Sequence, residues 1–174
     1  MAAALGDLDT MKLLHQTGIE CCTAEPMNLA ASINRRDIFE WLHTHRTEGY
    51  DNNAMTYAVA RGHIEMVKWL HEAWGLPCTQ KGLCTAANNG DFDMVLYLTS
   101  IPMAPLDSHD NCPGCVPTLD NGSYHQIYPG NAIDKAAFNG HIDIIKILHN
   151  YPATTEAMDA VAGYGHLELV NGYE

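Results

Sequence analysis

At 174 residues, 47% hydrophobic and 17% charged, the chain has the length and balance of one globular domain, which excludes a disordered tail. Nine basic residues against 21 acidic give a net charge of −12 with histidine neutral, and no basic stripe offsets it, so no nucleic-acid partner is expected. No apolar run reaches the ~20 residues of a membrane span and the start has no basic signal region, so neither a membrane partner nor secretion is expected.

Taken in chain order, three segments share one frame: 6–15 (GDLDTMKLLH), 62–71 (GHIEMVKWLH) and 140–149 (GHIDIIKILH). Weaker copies run over 34–43 and 90–99, and a partial copy starts at Gly165. The anchors 6, 34, 62, 90, 140 and 165 are spaced by 28, 28, 28, 50 and 25 residues. Such spacing marks a repeat array.

Each unit reads as two helices. Before the anchor, a large apolar residue stands at minus seven (Met27, Met55, Leu83, Ile133, Met158). Small residues follow at minus four (Ala30, Ala58, Ala86, Ala136) and minus three (Ala31, Val59, Ala87, Ala137), defining one narrow helical face. Thr23, Asp51, Thr79 and Thr154 are placed to cap these first helices, while the fifth unit has Pro129 in that slot and Asn131 as the alternative cap. After the anchor, apolar residues recur as in Ile38, Phe39, Trp41 and Leu42, the pattern of a second helix. Every second helix opens with an acid at plus three (Asp9, Asp37, Glu65, Asp93, Asp143, Glu168) and four end in histidine at plus nine (His15, His43, His71, His149). Both placements complement the helix dipole. Much of the acidic excess is therefore helix architecture.

The stretch 58–70 (AVARGHIEMVKWL) resembles the ankyrin repeat, whose usual pattern is A-A-x-x-G-H-L-E-I-V-K-L-L; 136–141 (AAFNGH) and 162–166 (AGYGH) carry the same core. The resemblance covers nearly the whole chain outside one insert. It departs at the front of each unit, where the T-P-L-H opening is missing and only Pro26 stands at the proline position. The period also falls short of the usual 33 residues, so abbreviated loops such as 16–22 and 44–50 are expected in place of projecting hairpins. No L-x-x-L-x-L strand signature or tetratricopeptide pattern competes with this reading. The resemblance implies an all-α, ankyrin-like solenoid of about six helix-turn-helix repeats, a single domain over 1–174. In such a stack no helix pair buries its apolar face alone. The first unit opens directly inside its helix and the last stops after Val170, so the chain is also read as a truncated piece of a longer array.

The long fourth spacing places a Pro-rich loop insertion between repeats four and five, about 100–130, with Pro102, Pro105, Pro113, Pro117 and Pro129. Proline at this density excludes a regular helix. Inside it, Cys112 and Cys115 form a Cys-x-x-Cys on a Pro-Gly turn, with His109 and His125 nearby. Two thiolates and two imidazoles suit tetrahedral zinc, but a single Cys-x-x-Cys is also what two incidental thiols look like. No metal and no cofactor is assigned, and the Zn-binding lobe is kept as the alternative. The six cysteines are expected to be reduced, consistent with a cytoplasmic location, and Cys22 and Cys78, both at minus twelve, are read as buried packing.

The histidines are periodic: His63, His141 and His166 follow anchors and four others end helices. Repetition of one type at one slot is a local structural job, whereas an active site needs different types converging. No phosphate loop, nucleophile elbow or His-x-x-x-His pair occurs, so no catalytic residue is assigned and the chain is not read as an enzyme. What remains is a surface. The resemblance implies that the outer side of the first helices lines a concave groove. Positions off the apolar face there are Asn28, Thr56, Tyr57, Arg61, Asn88, Asn89, Asp134, Phe138, Asn139 and Tyr164. Exposed Tyr, Phe and Arg are enriched at protein interfaces. The expected function is that of a monomeric, non-enzymatic scaffold binding an unidentified protein partner through these residues. Zinc analysis of the purified chain tests the alternative: substoichiometric metal ends it, and one equivalent lost on Cys112→Ser and Cys115→Ser supports it.

Overall fold

A computed structural model describes residues 7–17, 25–45, 53–103 and 130–149, together with Thr155, Ala157, Asp159 and Gly163. Among the described residues there are nine α-helices and no strand. They are α1 (Leu8–Gln16), α2 (Glu25–Ser32), α3 (Arg36–His45), α4 (Asn53–Ala60), α5 (Ile64–Trp74), α6 (Gln80–Asn89), α7 (Phe92–Ser100), α8 (Gly130–Phe138) and α9 (Ile142–Leu148). The chain is all-α, built from the ankyrin-like helix-turn-helix pairs that its spacing predicts.

The anchor residue makes the turn. Asn34, Gly62, Gly90 and Gly140 all sit at positive φ, at 58°, 71°, 75° and 73°. Their left-handed backbone ends the first helix, and the amide one residue on reaches back to the carbonyl at minus four: Arg35 to Ala30 (3.0 Å), His63 to Ala58 (3.0 Å), Asp91 to Ala86 (3.1 Å) and His141 to Ala136 (2.8 Å). This is the Schellman closure, in which glycine is favoured because it carries no Cβ to clash in that conformation. Asn34 is the non-glycine residue that tolerates it, as asparagine does.

The chain divides at Pro77 and Cys78 into two compact units. In the first, α2 packs against α4, and each of these lies on its own second helix, α3 and α5. Met27, Ala30 and Ala31 of α2 and Met55, Ala58 and Val59 of α4 are buried together with Ile38, Phe39, Leu42, Met66, Val67 and Leu70 of the second helices. Alanine at minus four and minus three lets the first helices approach closely. Aromatic rings fill the space between α3 and α5: Phe39 lies edge-on to Trp69 at 5.6 Å, and Trp74 lies 5.8 Å from both. Arg36 donates to the Glu65 carbonyl (2.6 Å) and sets its guanidinium over Trp69.

In the second unit, α6 packs against α8 just as α2 packs against α4, with α7 and α9 beneath and touching each other. Leu83, Ala86, Ala87, Met94, Val95, Leu98, Ile133, Ala136, Ala137, Ile144 and Leu148 form its core. Repeats four and five are therefore neighbours in the stack despite the longer spacing. The Cys78 amide bonds the Pro102 carbonyl (3.0 Å), and an isolated parallel bridge joins Cys78 to Met103, tying the two ends of the fourth repeat together.

Helix starts follow the expected chemistry where they are described. Thr79 caps α6 through Gly82 N–H (3.0 Å), and Asp91 caps α7 through Met94 N–H (3.0 Å). Asp7 accepts from the backbone of Asp9 and Thr10 and from the Thr10 hydroxyl, which holds its carboxyl below the ordinary value. Hydrogen bonding from Arg35 lowers Asp37 in the same way. A depressed carboxylate lends stability that is present above its unfolded value of 3.8 and fades as pH falls through the folded one. Thr23, Asp51, Thr154, Pro129 and Asn131 as caps, and most of the insertion, fall outside the described residues or carry no described side chain.

In the slot after the anchor, Arg35 pairs with Asp37, and the other described residues serve one of two uses. Where it is aspartate (Asp7, Asp91) it caps its own helix; where it is histidine it makes no cap bond. Instead the ring Nε2 of His63 donates to the Ser32 carbonyl (3.0 Å), and that of His141 to the Asn88 carbonyl (3.3 Å). Both carbonyls lie two residues before the preceding anchor, so the same stitch joins successive repeats in each unit. The His141 ring lies so close over Gly90 that an added Cβ would meet its Cε1 at 2.6 Å. Gly90→Ala thus combines left-handed strain, roughly 1–2 kcal/mol, with a collision. Chemical denaturation should show a larger loss for Gly90→Ala than for Gly75→Ala, whose Cβ meets nothing, and His141→Ala should relieve part of the Gly90→Ala penalty. Purely additive losses would show that ring and glycine are uncoupled.

Candidate functional site

The candidate surface is the outer side of the first helices, and the structure sorts its expected members by slot. Asn28, Thr56 and Asp134 all stand six residues before an anchor, and all are buried, at 3%, 6% and 8% exposure. The exposed position expected at minus six is corrected on this point. A first helix in a stack is covered by a neighbouring first helix as well as by its own second helix, so less of its circumference reaches solvent than one helix pair alone suggests. Cys84 fills the same slot in repeat four and is buried too. The Asn28 Oδ1 has no hydrogen-bond partner among the described residues.

Most of the other candidates open outward, although Ser32 at minus two is buried. In the first unit Tyr57 is 42% exposed at minus five, and Arg61 is exposed at minus one. In the second unit Asn88, Asn89 and Asn139 are exposed and Phe138 is 49% exposed. Asn139 Nδ2 donates to Asn88 Oδ1 (3.3 Å) and to the Lys135 carbonyl of its own helix (2.9 Å). Tyr164 lies outside the described residues. Each unit thus carries a polar and aromatic patch on its first helices, with Lys135 exposed beside the second.

Other exposed apolar side chains were not among the sequence candidates. On α7, Phe92 is 42% and Leu96 is 52% exposed, and Met103 follows at 39%. The signal for Leu96 was present: its slot holds Lys12, Glu40, Lys68 and Lys146 in the other second helices.

The histidines and aromatics take up packing roles. His71 Nδ1 bonds the Leu76 carbonyl (3.0 Å) and His149 Nδ1 the Lys146 carbonyl (2.6 Å), each closing the end of a second helix. His15 stands edge-on to Trp41 (5.5 Å), His45 stacks on Trp41 (4.6 Å), and His43 meets Trp74 (4.2 Å). Trp41 and Trp69 are half-buried between second helices, as their slot suggests. His166 lies outside the described residues, as do His109, Cys112, Cys115 and His125 of the possible zinc lobe. Among the described residues no group of three or more His, Cys, Asp or Glu side chains could hold a metal ion. No described helix is long and apolar enough to cross a membrane.

Residues 1–82 match a family model described as ankyrin repeats (3 copies). That range takes in the anchors at 6, 34 and 62, and the same positive-φ closure continues at Gly90 and Gly140. Over residues 1–82 the chain is an array of ankyrin repeats. No curated protein matches it. Ankyrin repeats are protein–protein interaction modules, typically non-enzymatic, and in this ankyrin chain the helix pairs that carry the exposed patches are the repeats themselves.

Two cysteines are described, and both are buried thiols outside any disulfide. Cys78 gives its thiol to the Thr79 carbonyl, and burial pushes its pKa up to about 12, with the nearby Cys84 adding to the rise. The thiolate is the reactive form, so such a thiol is inert at neutral pH. Iodoacetamide at pH 8 should leave Cys78 and Cys84 unmodified in the folded chain and label both after denaturation, as read by peptide mass spectrometry. Rapid native labelling of Cys78 would contradict its enclosure.

Proposed function

We propose that the chain is a non-enzymatic scaffold that binds a partner protein through the outer face of its first helices, the side that lines the concave groove of the ankyrin family. The observation that carries this reading is the residue choice at the exposed slots. Within a repeat whose minus-four and minus-three positions are small throughout, the outward ones hold Tyr57, Arg61, Phe138 and the asparagines Asn88, Asn89 and Asn139 alongside Lys135. Tyrosine, phenylalanine and arginine give large contact area at small entropic cost, which is why they dominate interface energetics. Asn28, Thr56 and Asp134, being buried, belong to this reading as residues beneath the face and not as contacts with the partner. The reduced thiols of Cys78 and Cys84 fit a reducing, cytoplasmic compartment, and the chain is taken to work as a monomer.

The test is the triple variant Tyr57→Ala, Arg61→Ala and Phe138→Ala. Because all three side chains are exposed, helicity and melting should be nearly unchanged. Affinity for a partner recovered by proximity labelling and then purified should fall at least ~10-fold, the size expected for interface anchors. Undiminished binding would remove the first-helix face from consideration.

A further inference from the structure

We infer that Asn89 is a site of spontaneous deamidation, and that the contact between repeats four and five sets its pace. Asparagine followed by glycine is the pair most prone to this reaction, because a glycine nitrogen has no side chain of its own residue to shield it. The sequence holds four such pairs, at 89–90, 121–122, 139–140 and 171–172, and those at 89 and 139 are among the described residues. In both, the glycine is an anchor at positive φ whose N–H bonds back into its own helix, to the Ala86 carbonyl for Gly90 and to the Ala137 carbonyl (3.2 Å) for Gly140. The backbone therefore does little to separate them, and the side chains do. Asn139 has its Nδ2 committed to the Lys135 carbonyl (2.9 Å) and to Asn88 Oδ1 (3.3 Å). The Asn89 carboxamide is exposed and makes no hydrogen bond among the described residues.

The reaction joins the Gly90 nitrogen to Asn89 Cγ. The Cγ–Nδ2 bond breaks, and ammonia leaves with a proton that solvent relays from the Gly90 amide, so a five-membered imide remains. Water then adds to one of the two imide carbonyls, giving aspartate or its β-linked isomer. Ring closure requires the Gly90 nitrogen to come free, and repeat five holds it back. The His141 ring lies over Gly90, with its Cε1 and Nε2 at 2.6 and 2.8 Å from where a Cβ would stand, and so fills the space that glycine otherwise leaves open. The same ring donates through Nε2 to the Asn88 carbonyl (3.3 Å), which fixes the peptide just ahead of Asn89. When the two repeats part in a local opening, both restraints go together. The β-linked product then carries an extra main-chain carbon, out of register with the bonds from Gly90 and Asp91 (3.1 Å) to the Ala86 carbonyl. An opened junction is thereby preserved in covalent form.

The test holds the full 174-residue chain at mildly alkaline pH for weeks. Peptide mass spectrometry follows the amide-to-acid mass change at each asparagine, with heavy-oxygen water marking newly formed acid. Asn89 should convert about ten-fold faster than Asn139, the factor that two net hydrogen bonds represent. An Asn89 rate equal to or below that of Asn139 in the native chain would overturn the assignment. Unfolding in urea should close the gap, and a gap that persists would trace it to local sequence and overturn it too. His141→Ala, checked by circular dichroism, should speed Asn89 several-fold and leave Asn139 within about two-fold. A slower Asn89 in that variant would make the ring a base instead of a restraint, and equal acceleration at both sites would show general loosening; either result overturns the pacing by repeat five. The wild-type chain gives a second reading that does not depend on the variant folding. In sub-denaturing urea the Asn89 rate should rise in step with hydrogen exchange at the Asp91 amide, which closes the same turn, and a rate that ignores that opening would overturn the pacing.

Discussion

A left-handed residue at the anchor governs the architecture. Once Asn34, Gly62, Gly90 or Gly140 takes positive φ, the first helix ends, its late carbonyls are satisfied from beyond the turn, and the second helix starts at a set angle. The alanines at minus four and minus three follow from this turn, since the closure takes their carbonyls and the neighbouring first helix takes their faces. The histidine stitches follow too. A ring one residue past the anchor can reach the preceding repeat only because both turns are built alike, and over Gly90 it finds room only because no Cβ is there.

This constraint explains why the surface carries the individuality of the chain. Core slots repeat one chemistry from unit to unit, so they hold little information about a partner. The slots released outward by the same geometry differ at each repeat: Tyr57 in one, Thr85 in the next, Lys135 in a third. A stack separates the two tasks in this way, with the inner side of each helix devoted to its neighbour and the outer side left to recognition.

Much of this was legible beforehand. Glycine, or asparagine at 34, recurring at a 28-residue spacing and mostly followed by histidine or aspartate, exposed the turns; periodic histidines were recognisable as structural because one residue type kept returning to one slot. The burial of Asn28, Thr56 and Asp134 was not legible, because a polar residue beside an alanine face reads as the edge of that face. Only a second flank, supplied by a neighbouring first helix, brings it inside. Leu96 escaped notice for the opposite reason. An apolar residue on an amphipathic helix passes as core unless compared with the lysines and glutamate that hold its slot elsewhere. The partnership of Asn88 and Asn139 lay beyond reach as well, since the insertion puts 51 positions between two side chains that touch.

The bond between Cys78 and Pro102 and the undisturbed contact of α6 with α8 have a bearing on how such a chain changes over time. With Pro102 held by Cys78 and α8 held by α6, lengthening a flexible link between two such fixed points costs only loop-closure entropy, about 0.6 kcal/mol for each doubling. The junction of the fourth and fifth repeats is therefore a splice point. Foreign sequence can be grafted there, or trimmed back, with little penalty to the framework on either side.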